Sequence, residues 1–111
     1  MLRGRSADNR QFEVIVKVRR SGDWQGSTND GDPAKALPHV FWIFVDLRVG
    51  VDAPRYFIAP DAWVRADIQT DHAAYLSSHG GRRAEKDSST HHAIEPWRVA
   101  EWADRWDLLN L

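Results

Sequence analysis

The sequence predicts a small α+β or α/β domain, with a mixed β-sheet of three to four strands packed by a C-terminal helix. Three stretches predict it. Residues 12–19 alternate, with Phe12, Val14, Val16 and Val18 on one face and Glu13, Ile15, Lys17 and Arg19 on the other, and β-branched residues dominate the run. Residues 39–48 are apolar almost without a break (Val40, Phe41, Trp42, Ile43, Phe44, Val45), the pattern of a central strand buried on both faces. Near the end, Val99, Trp102, Trp106 and Leu109 recur at helical spacing, one apolar stripe facing the sheet.

The elements follow in order. At 111 residues the chain makes a single domain. Residues 1–10 are polar and read either as a frayed start or as an extra strand entering a tight turn at Asn9-Arg10. In the strand of residues 12–19, the valine face packs on the core. Lys17 and Arg19 then point away from it, and a lysine on the solvated face of an edge strand resists edge-to-edge pairing. Residues 21–38 are rich in Gly, Ser, Asn, Asp and Pro and predict one long loop with Trp24 as its large apolar residue. Residues 50–54 form a turn, and residues 55–59 a third strand in a hairpin with the second, stopping at Pro60.

Pro60 and Asp61 start a short helix, with the carboxylate at the positive end of its dipole. Thr70 caps a second short helix over 71–78 that ends at Gly80-Gly81. A charged loop over 82–92 follows, and the final helix begins at Pro96.

Composition bounds the chemistry. There is no cysteine, which excludes disulfides, thiolate metal sites and a cysteine nucleophile. No apolar run approaches the ~18 residues of a membrane span, and the basic start Arg3-Gly4-Arg5 has no apolar stretch behind it, so a cytoplasmic location is expected. Residues 1–20 carry six basic side chains against Asp8 and Glu13, a balance of +4 on a chain of net charge −1. That end is suited to contact phosphate. The histidines show no H-x-x-x-H or H-E-x-x-H spacing. His91 and His92, if on a strand, face opposite ways, while His72 and His79 lie about two helical turns apart. No serine stands in a G-x-S-x-G context, and no Gly-rich phosphate loop is present.

The strand ending in Val16-Lys17, then Arg19-Arg20, a polar loop with Trp24, the strand Phe41-Trp42-Ile43-Phe44-Val45-Asp46-Leu47, and Tyr56-Phe57-Ile58-Ala59-Pro60 resemble the second half of a PD-(D/E)XK nuclease-like (restriction-endonuclease-like) domain. The endings His92-Ala93-Ile94 and Arg105-Trp106-Asp107-Leu108-Leu109 are similar to the tail of that group. The resemblance covers residues 12–110 and rests on strand pattern and spacing. It implies metal-dependent hydrolysis of a DNA phosphodiester. In that chemistry Mg2+ or Mn2+ is held by carboxylates and a lysine stabilises developing charge.

Lys17 matches the family lysine. The position two before it, where the family places a carboxylate, is Ile15. Glu13 lies four residues from Lys17, about 13 Å along a strand. Asp8 is the only candidate for the upstream aspartate, and the family's first helix has no counterpart.

The resemblance therefore implies a shortened, degenerate domain without autonomous catalysis, binding nucleic acid through Lys17, Arg19 and Arg20, with Trp24 either stacking on a base or anchoring its loop. A second reading is an active endonuclease whose Mg2+ or Mn2+ site is completed by another chain, with Lys17, Glu13 and Asp8 catalytic and Asp46 either a ligand or a cap on the following turn. A third is a structural domain that forms a homodimer through an uncovered sheet face or edge.

Overall fold

In the computed structural model, residues 1–48, 53–78, 80 and 91–111 are described. Residues 50–52 of the expected turn over 50–54, His79 with its spacing to His72, Gly81 and most of the expected 82–92 loop lie outside the described residues.

Among the described residues, six strands and one α-helix form the domain: β1 (Leu2–Arg5), β2 (Gln11–Arg19), β3 (Trp24–Ser27), β4 (Val40–Asp46), β5 (Arg55–Pro60), α1 (Asp61–Ser78) and β6 (His91–Ile94). The main sheet has the order β1-β2-β4-β5. Its β2/β4 pair is parallel and the other two pairs are antiparallel. A second sheet pairs β3 with β6 antiparallel. The fold is α+β with a mixed main sheet, as the strand pattern predicts.

The first ten residues supply the extra strand. Asn9 takes a left-handed conformation (φ 66°), which asparagine tolerates, and Ser6 and Arg10 close the hairpin with a 2.9 Å backbone bond from Ser6 N to Arg10 O. Gly4 faces Phe12 across the ladder, where a Cβ would overlap the Phe12 ring. β1 thus covers β2 over Gln11–Val14, while residues 15–19, Lys17 and Arg19 among them, have β4 alone as ladder partner.

Parallel strands cannot be joined by a tight turn, so β2 must reach β4 by a crossover. Residues 20–39 provide it, and the predicted long loop is in fact structured. It holds β3 and two single-turn three-ten helices, Thr28–Asp30 and Pro33–Lys35, capped by Ser27 and Asp32. Trp24 is fully buried in this crossover, and its Nε1 donates to Val45 O at 2.9 Å.

The main core forms on the face of β2 opposite to the expected one, although Val14, on the expected face, is itself buried at 5% exposure. In register, Ile15, Lys17 and Arg19 stand beside Trp42, Phe44 and Asp46, and this is the face on which the core forms. Trp24, Trp42, Phe44, Phe57, Ala59, Val64, Ile68, Ile94 and Val99 make the core, with Ile15, Trp63 and Trp102 packed against it. Val16 and Val18 are left 40% and 55% exposed on the other face. The cause lies in β4. Burying Trp42 and Phe44 removes far more apolar area from water than burying two valines, and the shared register carries β2 along. Lys17 and Arg19 tolerate the inner face because their stems run over rings. Lys17 Nζ lies 5.8 Å from the Trp42 ring, and Arg19 Cζ lies 4.9 Å from the Trp24 ring.

Two helical expectations are also corrected. α1 is one continuous helix of 18 residues, not two short ones. No Gly or Pro interrupts residues 61–78, and an exposed Thr70 in a helix interior costs only a few tenths of a kcal/mol. The C-terminal segment is not an α-helix packed on the sheet. It forms two three-ten helices, Pro96–Trp102 and Trp106–Leu109, so the helix that packs the sheet is α1. Between them Ala103 bridges to Phe57, Asp104 N donates to Tyr56 O at 2.9 Å, and Asp104 takes φ 54°. The edge of β5 thereby captures the chain midway and splits the predicted stripe. Val99 and Trp102 join the core side, while Trp106 packs on Tyr56 and Leu109 lies near Phe12 and Phe41 on the far face. Trp106 remains 37% exposed and is not a core tryptophan.

Candidate functional site

The carboxyl ends of parallel strands are where a mixed sheet presents ligand-binding residues. Here the ends of β2 and β4 and the start of β5 gather Lys17, Arg19, Arg20, Arg48 and Arg55. Only Asp23 and Asp46 oppose them among the described residues of these stretches. Arg20, Arg48 and Arg55 are exposed, and Lys17 is half-buried over Trp42.

Asp46 is buried and its oxygens are occupied. Oδ2 accepts from Arg19 Nη2 at 2.9 Å and lies 3.3 Å from Arg48 Nε, and Oδ1 accepts the Arg48 backbone N–H at 3.1 Å. Arg19 also donates to Gly22 O. The carboxylate therefore holds the arginines in place and caps the turn after β4.

The other carboxylates named from the sequence sit elsewhere. Asp8 lies in the β1–β2 turn, bonded to the Ser6 hydroxyl and 3.2 Å from Arg10 Nε. The Ser6 bond first, and then the Arg10 charge, hold its carboxyl below the usual range. Glu13 pairs with Arg3 across the hairpin at 3.7 Å. Four strand residues, about 13 Å, separate Glu13 from Lys17, and Asp8 lies further still. The fold does not bring Lys17, Glu13 and Asp8 to one point. Ile15, beside Lys17, has no donor atom.

The residues around Lys17 thus do not fit a Mg2+ or Mn2+ site of the kind the resemblance implies. Trp24 does not fit a base-stacking role either, because its ring is enclosed between Phe44, Phe57 and the Arg19 guanidinium.

A second cluster, not anticipated from the sequence, lies where α1 meets β6 and the Pro96–Trp102 helix. Arg98 is buried and reaches Asp67 and Asp71 on α1 and Glu95 before its own helix, at 3.3 Å from Asp71 Oδ2 and 3.0 Å from Glu95 Oε2. His92 is buried beside it, with Nε2 3.2 Å from Asp71 Oδ2, and the His72 ring meets the His92 ring edge-on at 6.2 Å. Burial first, then the Arg98 charge, push the His92 imidazole below its ordinary pKa, while Asp71 pulls the other way. The ring is therefore neutral near pH 7. Only the observation that His91 and His92 would face opposite ways on a strand was legible here: His91 is exposed and His92 buried. Asp71, His92 and Arg98 are joined by the packing of α1 on β6, and no sequence spacing marks them.

No family model matches the chain, and neither a curated protein nor a solved structure does. Among the described residues, no helix is long and apolar enough to cross a membrane.

Proposed function

We propose that this chain is a non-catalytic, restriction-endonuclease-like domain that binds nucleic acid through the basic ends of β2, β4 and β5. One observation carries the reading. Lys17, Arg20, Arg48 and Arg55 gather at these strand ends around the buried Arg19–Asp46 pair, and among the described residues Asp46 is the one carboxylate bonded within this network, committed to Arg19 and Arg48. Cations so arranged attract phosphate, and exposed arginines contact it bidentately. Hydrolysis lacks support because Ile15 replaces the carboxylate expected beside Lys17, and Asp8 and Glu13 stand at the other end of β2. Binding of nucleic acid accords with the cytoplasmic location expected from the sequence, where we place the protein.

DNA binding measured by fluorescence anisotropy at several salt concentrations tests this. Wild type is expected to bind single- and double-stranded DNA with affinity falling as salt rises. The exposed-residue variant Arg20→Ala/Arg55→Ala is expected to lose more than tenfold and to flatten the log–log salt slope by about 0.9 for each duplex phosphate contact removed. Salt-independent binding, or an unchanged slope in the variant, refutes the interface. Nicking of supercoiled DNA with Mn2+ is expected to be absent. Nicking by wild type that Lys17→Ala abolishes would establish the alternative, an endonuclease whose metal site a second chain completes.

The homodimer reading is favoured by a separate observation. Val16, Val18 and Leu2 are exposed on the outer face of the main sheet, next to half-buried Ile43 and Val45. A row of aliphatic side chains without a charge among them can pack against its own copy. Sedimentation over a concentration series is expected to show a monomer–dimer equilibrium that Val18→Glu abolishes. A monomer at every concentration rejects it.

A further inference from the structure

The cluster between α1 and β6 has a geometry that its hydrogen bonds do not explain. His92 is 8% exposed, and its Nε2 is buried without a hydrogen-bond partner. The Asp71 Oδ2 atom is 3.2 Å away but off the line that the ring N–H would need. Both residues line a cavity of about 240 Å3, together with His72 and Glu95 among others.

The 3.2 Å separation is close to, and slightly shorter than, the distance between two ligands of one small ion. With Zn–N and Zn–O bonds near 2.0–2.2 Å, neighbouring ligand atoms of a tetrahedral site lie about 3.3–3.5 Å apart. His72 lines the same cavity and supplies another imidazole, its ring 6.2 Å from that of His92. We propose that Asp71, His72 and His92 bind a transition-metal ion of the Zn2+ class, with Glu95 or water in the fourth position.

The donor set selects the ion. Two imidazoles and one carboxylate suit Zn2+, Ni2+ or Cu2+ and disfavour Mg2+, which prefers oxygen and water. Arg98 then acts on the ligand carboxylate from outside. It lies 3.3 Å from Asp71 Oδ2 and bonds Glu95 and Asp67, so it orients these carboxylates as partners behind metal ligands commonly do. Among the described residues no three donors already converge on one point, so the ion is captured by a turn of the partly exposed His72 side chain toward His92 Nε2. The ion would tie α1 to β6 and so link the second sheet to the helix.

The test uses the full chain and Zn2+ alone as the probe. Calorimetric titration is expected to show one ion per chain, with a rise in Tm on Zn2+ addition. His72→Ala, at a partly exposed position that leaves the core intact, is expected to weaken binding more than tenfold and remove the rise in Tm. His39→Ala, at a residue that lines a different cavity, leaves both unchanged. Co2+ bound to wild type is expected to give the visible absorption of a four-coordinate site, lost in Asp71→Asn. No saturable Zn2+ binding, or equal binding by wild type and His72→Ala, overturns the proposal. Neither result bears on the DNA-binding reading, which rests on other residues.

Discussion

Trp24→Ala is expected to destabilise the domain by about 3–5 kcal/mol, the largest single loss among the core residues. The indole is fully buried and packs on Phe44 and Phe57, with ring centroids 5.3 and 5.7 Å away. Its Nε1 donates to Val45 O, and the Arg19 guanidinium lies over its face. Truncation removes all of these contacts and leaves a void that a sheet cannot collapse to fill. It also releases the crossover between β2 and β4, because Trp24 is the residue that pins β3 over the main sheet. Urea unfolding followed by circular dichroism measures the loss. A cost below about 1 kcal/mol would mean that the crossover is not held in this way. Trp24→Phe is expected to retain most of the packing but lose the bond to Val45, costing about 1–2 kcal/mol. The pair of variants separates ring volume from the hydrogen bond.

The second large effect is at Asp61. Its carboxylate is 1% exposed, at the first position of α1, and it holds three elements together. Oδ1 accepts from Trp42 Nε1 at 2.9 Å in β4, Oδ2 accepts from Leu37 N at 3.1 Å in the crossover, and Arg65 Nε lies 3.1 Å from both oxygens one turn along the helix. Asp61→Ala strands a buried indole N–H, a backbone N–H and a half-buried guanidinium at once. Removing one partner of a buried charge pair typically costs about 3–5 kcal/mol, most of it from the groups left without partners. Asp61→Asn keeps the acceptor for Trp42 but turns an amide N–H2 toward Leu37 N or Arg65, so an intermediate loss is expected. Equal stability of wild type and Asp61→Ala in urea melts would show that water replaces the carboxylate and that the site is not sealed.

Asp61 also shows how far sequence reasoning reaches. The sequence marks it as a helix-start carboxylate, because Pro60 and Asp61 precede a periodic stretch. That part is local and holds. Its bond to Trp42, nineteen residues away in β4, has no local signature, because the distance is closed only when α1 packs on the sheet. The same division runs through the candidate site. Lys17 and Arg19 are legible as two cations on one face of a strand. That they lie on the inner face, over Trp42 and Trp24, is decided by β4. Trp24 itself is legible as the one large apolar residue in a polar stretch. Its complete burial follows from the crossover that a parallel β2/β4 pair requires, and strand direction is not encoded in period-two alternation.

The sequence by itself determined the class of the domain, the two central strands, the existence of helix near Asp61, the basic amino-terminal end and the absence of cysteine chemistry. These are signals of composition and short-range periodicity, and each is carried by residues a few positions apart. Tertiary structure decided which face of β2 is buried, that α1 runs unbroken past Thr70, and that the C-terminal stripe is split by the edge of β5. It alone joined Asp71, His92 and Arg98. In each case the reason is the same: the apolar area of Trp42, Phe44 and Trp24 must be removed from water together, and only the packed arrangement that does so fixes where the polar side chains around it meet.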